Sequence, residues 1–88
     1  MTATENKTTA IVLDNGAEPL IHYYNELVGS GIVLARCGFG HHELVVWTIY
    51  PKEGTPGTFY AEHGRYFRND LAGANRAFRK AVMERVDY

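Results

Sequence analysis

Glu43-Leu44-Val45-Val46-Trp47-Thr48-Ile49-Tyr50 decides the fold. Successive side chains of a strand point to opposite faces, so Leu44, Val46, Thr48 and Tyr50 share one face while Val45, Trp47 and Ile49 share the other. Both faces are apolar, the pattern of a strand in the interior of a sheet. Pro51 stops the strand because proline offers no ladder donor. Gly54, Pro56 and Gly57 then make residues 52–57 a mobile connection. Residues 58–67 predict another strand, bent at Gly64.

Beyond it, Asn69 or Asp70 can cap a helix over residues 70–86, accepting the unpaired amide hydrogens of its first turn. Leu71, Ala74, Phe78, Ala81, Val82 and Val86 recur at three- and four-residue steps and make one apolar stripe. That stripe is expected to lie on the sheet and to bury Leu71, Phe78, Val82 and Val86. Gly73, in the first turn, offers a close approach to a strand.

Upstream of the central strand, residues 38–42 read as a loop. Residues 32–37 read as a strand with Ile32, Leu34 and Arg36 on one face and Val33, Ala35 and Cys37 on the other. Gly29-Ser30-Gly31 is a turn. Residues 20–28 carry two patterns. Pro19 and Gly29 would bracket a helix over 18–28 with Leu20, Tyr24, Leu27 and Val28 on one face, but Ile21-His22-Tyr23-Tyr24 favours extended structure, and a strand is preferred. Residues 8–13 make a first strand, and Asp14-Asn15-Gly16 after it is a strong hairpin signal.

The expectation is an α+β fold, a four- to five-stranded antiparallel β-sheet packed against one C-terminal α-helix. Residues 1–9 form a flexible tail and residues 10–88 a single domain. A chain of 88 residues supports one core, and 45% apolar with 22% charged residues lies in the globular range. A single cysteine, Cys37, excludes an internal disulfide framework and suits a reducing, cytoplasmic compartment. The longest apolar runs fall far short of the roughly 18 residues of a membrane span, and the polar start lacks the pattern of a signal peptide.

The net charge of −1 conceals an asymmetry. Up to Gly64, three basic side chains oppose seven acidic ones, a balance of −4. After it, Arg65, Arg68, Arg76, Arg79, Lys80 and Arg85 oppose three acids, a balance of +3.

Cys37, His41 and His42 lie close in sequence, and His22 and His63 could join them in space. Neither a Cys-x-x-Cys nor a His-x-x-x-His spacing places two ligands on one rigid turn, so neither metal nor cofactor is expected and Cys37 reads as a packed core residue. A Cys37 nucleophile would need a lowered thiol pKa and an oriented base. Gly38-Phe39-Gly40 is followed by a β-rich stretch rather than a helix, which argues against a phosphate loop. It also lacks the aromatic strand of an RNA-recognition domain.

Two surfaces remain. Tyr23, Tyr24, Trp47, Tyr50, Phe59, Tyr60, Tyr66 and Phe67 are many aromatics for this length, and alternation sends about half of them to the sheet face opposite the helix, where no other predicted element covers them. Arg76, Arg79 and Lys80 occupy the outer side of the helix, with Arg65 and Arg68 near its start.

The strand Ile32-Val33-Leu34-Ala35-Arg36, the strand Leu44-Val45-Val46-Trp47, the segment Gly64-Arg65-Tyr66-Phe67 and a helix with Ala74 and Phe78 together resemble small proteins of bacteriophages and mobile elements. That group shares no common activity. Some phage proteins of this size inhibit host machinery stoichiometrically, anti-CRISPR proteins among them, and the resemblance implies a function of that kind.

The resulting expectation is a non-enzymatic protein-binding module, a phage-encoded inhibitor of a host protein or defence complex. Its partner-binding residues are expected among Tyr23, Tyr50, Tyr60, Arg65, Arg68, Arg76, Arg79 and Lys80. A small nucleic-acid-binding module using the basic helix face is the first alternative, although the acidic sheet argues against it. A Cys/His metal-binding protein is the second. Homodimerisation by edge-strand pairing fits any of the three.

Overall fold

The computed structural model describes residues 11–37 and 43–86. Its elements are β1 (Val12–Leu13), β2 (Glu18–Asn25), β3 (Ser30–Arg36), β4 (Leu44–Pro51), β5 (Thr58–Tyr66) and one helix, α1 (Leu71–Val86). They form a single sheet in the order β1-β5-β4-β3-β2, with the both-sided apolar strand β4 in the middle. β2, β3, β4 and β5 pair antiparallel in succession, and the C-terminal helix packs on one face. The expected α+β architecture is present. The predicted tail 1–9, the loop 38–42 and the side chain of Val86 lie outside the described residues.

Residues 20–28 resolve as the preferred strand, which starts two residues earlier and ends three residues earlier, at Asn25. β2 pairs with β3 from Glu18 opposite Arg36 to Asn25 opposite Ser30, with an irregularity between Pro19 and Ile21. Asn25 ends it: the side-chain oxygen accepts from the amides of Leu27 and Val28, and its carbonyl accepts from Gly29. Gly31 permits the close pairing with β2, since a Cβ there would collide with the Tyr23 carbonyl.

The hairpin expected at Asp14-Asn15-Gly16 does not form. The turn itself is present, with Gly16 N donating to Leu13 O at 2.9 Å and Gly16 at a φ of 83°. The strands it joins are nevertheless at opposite ends of the sheet order. β1 instead runs parallel to β5, with Val12 N donating to Gly57 O and Asp14 N to Phe59 O. The 52–57 connection is tied by its own hydrogen bonds, Lys52 N to Thr58 O at 2.8 Å and Thr58 N to Thr55 O at 3.0 Å.

This placement of β1 corrects a second expectation. The sheet curls until β1 lies against β2, and the face opposite the helix closes over Ile11, Leu13, Ala17, Val33, Ala35, Cys37, Val45, Trp47 and Ile49. Trp47 keeps only 6% of its surface exposed. The aromatic face expected to be bare is largely a second core, with Trp47 buried and Phe59 packed against it, while Tyr66 on the same face stays exposed. The first core lies under the helix, where Ala74 and Phe78 meet Ile32, Leu34, Leu44 and Val46.

The helix begins as expected at Asp70, whose Oδ1 accepts from Gly73 N at 2.9 Å. Two details differ. Leu71 is 58% exposed, and Phe67, from the segment just before the helix, packs against the helix-side core instead. The space left by the missing side chain of Gly73 is taken by the Asp70 carboxylate, not by a strand.

β5 is bent at Gly64 as expected. The pairing shifts between Val46 and Thr48, so that His63 and Gly64 both fall opposite Trp47, with His63 at a φ of 57°. A Cβ on Gly64 would stand 2.5 Å from the indole Nε1 of Trp47, so the bulge requires glycine here.

Candidate functional site

The helix lies over β3 and β4 and reaches β2, leaving β5 outside the strip it covers. Register places Tyr60, Glu62 and Arg65 of β5 opposite Tyr50, Thr48 and Val46, on the face that carries the helix. The angle between uncovered β5 and the flank of α1 is a groove of about 320 Å³ lined by Arg65, Phe67, Asp70, Gly73, Arg76, Ala77 and Lys80.

The sequence builds this groove from two periodicities. Gly73, Arg76, Ala77 and Lys80 follow i, i+3, i+4, i+7 spacing and so share one helical flank. Across from them, the extra residue of the β5 bulge resets alternation and brings Arg65 onto the helix side. The Arg65 guanidinium carbon stands 5.7 Å from the centre of the Phe67 ring, a cation–π arrangement that fixes the charge over an apolar floor. The small side chain of Ala77 leaves the groove open. Of its four charged groups three are cationic, and the single carboxylate, Asp70, is engaged as the helix cap. The amino-terminal half of α1 adds the positive end of the helix dipole.

Of the eight partner-binding candidates, the structure brings together Arg65, Arg76 and Lys80. Arg68 lies at the start of the helix in a left-handed conformation, φ 53°, with its carbonyl accepting from Leu44 N. Arg79 is exposed on the other flank of the helix, away from the groove. Tyr23 packs against the helix-side core. Tyr50 and Tyr60 are cross-strand partners that do not line the groove, and Lys52 Nζ stands 5.6 Å over the Tyr60 ring. The same amine is 3.9 Å from Asp14, an exposed pair of small energetic worth. Phe67 and Ala77 were missed as lining residues: Phe67 stood out only among the many aromatics of the sheet, and Ala77 falls outside the apolar stripe of the helix.

Cys37 is buried in the second core, and burial pushes its thiol above the ordinary value, with the charge of Glu43 adding to the shift. A thiol held protonated in this way is a poor nucleophile and a poor metal ligand. Burial also lowers His22. No three His, Cys, Asp or Glu side chains gather as a metal site among the described residues, and His41 and His42 lie outside them. Among the described residues no helix is long and apolar enough to cross a membrane. β2, last in the sheet order, carries Pro19 and the irregularity beside it, features that blunt strand pairing.

No family model, curated protein or solved structure matches the chain.

Proposed function

We propose that the protein is a non-enzymatic binding module that engages a partner protein through the groove between α1 and β5. One observation carries this reading: Arg65 from the sheet and Arg76 and Lys80 from the helix line one groove with Phe67, whose ring lies under the Arg65 guanidinium. Converging cations beside an apolar floor form a recognition surface, since arginine and aromatic groups in partly enclosed settings supply much of the energy of protein interfaces. The resemblance to phage proteins makes a bacterial host protein or defence complex the first partner to seek.

The test is capture from bacterial lysate with the wild-type chain beside a variant carrying Arg65→Glu, Arg76→Glu and Lys80→Glu. A partner retained by the wild type and lost by the variant, with both chains showing the same circular dichroism and melting behaviour, supports the proposal. Partners held equally by both, or no partner at all, overturn it.

A further inference from the structure

Resting on that reading of the groove, we infer that the part of the partner it takes is a short acidic segment carrying an apolar side chain. The charges set the sign: Arg65, Arg76 and Lys80 face one acid, Asp70, whose carboxylate is already occupied by the Gly73 amide. Carboxylates suit two guanidinium groups, which bind them in a bidentate fork. The Phe67 ring and Ala77 give an apolar side chain of the segment a place to pack.

The groove, about 320 Å³ in volume, suits a short segment. Glu62 precedes Arg65 on the same face of β5, and Glu84 follows Lys80 by one helical turn, so both acids lie towards the end of the sheet where β4 finishes. A phosphate backbone continuing past that end would run into negative charge, which favours a short acidic peptide over nucleic acid.

The experiment is fluorescence anisotropy with three labelled probes: a peptide of glutamates around a central leucine, the same peptide with glutamines, and a ten-residue oligothymidylate. The acidic peptide is expected to bind, more weakly as salt rises, and the glutamine peptide not to bind. Arg65→Glu or Lys80→Glu is expected to weaken the acidic peptide by about tenfold or more, while Arg79→Glu, on the other flank, leaves it unchanged. Equal binding of the two peptides, tighter binding of the oligonucleotide, or an equal loss in Arg79→Glu overturns the inference. A partner lost from the triple variant together with no binding of the acidic peptide refutes the acidic segment while leaving the groove as the contact surface. Binding of the acidic peptide with no groove-dependent protein in the lysate refutes the proposed function alone.

Discussion

The rings of Tyr24 and Phe59 meet edge to face, with centroids 5.6 Å apart, although β3 and β4 lie between their strands in the sheet. Three strand spacings would separate them by about 14 Å in a flat sheet. The contact therefore records the curl that turns the face opposite the helix into a core.

If this contact helps close the curl, Tyr24→Ala and Phe59→Ala should each cost about 2–3 kcal/mol, less than fully buried rings because both are partly exposed. The double variant should be less than additive by about 0.5–1.5 kcal/mol. Urea unfolding of the four chains measures this, and strict additivity would show that the rings touch without coupling.

Gly64 and Trp47 form a second dependent pair. Gly64→Ala places a methyl against the indole and is expected to cost about 1–3 kcal/mol. In a Trp47→Phe background, where the nitrogen-bearing ring is gone, the same change should cost less. Equal costs in both backgrounds would place the strain elsewhere in the bulge.

At the helix start, Asp70→Ala should cost about 1 kcal/mol through loss of the cap. Gly73→Ala would ordinarily stabilise a helix by about 1 kcal/mol, but here the new methyl displaces the capping carboxylate. The gain should appear only when Asp70 is already alanine, as melting temperatures of the two single variants and the double variant would reveal.

The core under the helix can be weighed by Phe78→Ala, expected to cost about 3–5 kcal/mol. Leu71→Ala should lie within about 0.5 kcal/mol of the parent despite sharing the same apolar spacing. A large loss at Leu71 would contradict its exposed position.

Stability should also depend on pH through His22. Burial lowers its pKa from the ordinary 6.5, so below that value the unfolded chain binds more protons than the folded one. This contribution is absent above pH 6.5 and destabilises progressively as the pH falls towards the folded-state value. His22→Gln should flatten that part of a stability-against-pH curve measured by denaturant unfolding.

The elements themselves were legible because their signals are local. The alternating pattern of 43–50, the β-branched and aromatic content of 20–25, the cap at Asp70 and the three- and four-residue steps to Phe78 and Val82 all act within a few neighbouring residues. The candidate groove was half legible. Its cations stood out by charge, but nothing in the chain order distinguished Arg76 and Lys80 from Arg79, since the difference lies in which flank of the helix faces β5.

Local chemistry thus wrote the strands, the bend at Gly64 and the helix, and with them the α+β class. The parallel docking of β1, the enclosure of Trp47, the exposure of Leu71 and the meeting of Arg65 with Arg76 and Lys80 were set by packing between segments far apart in the chain. An Asn-Gly turn is compatible with more than one destination for the strand before it. Here β1 goes to β5, where Leu13 is buried in a second core with only 2% of its surface exposed, a gain that turn chemistry alone does not encode.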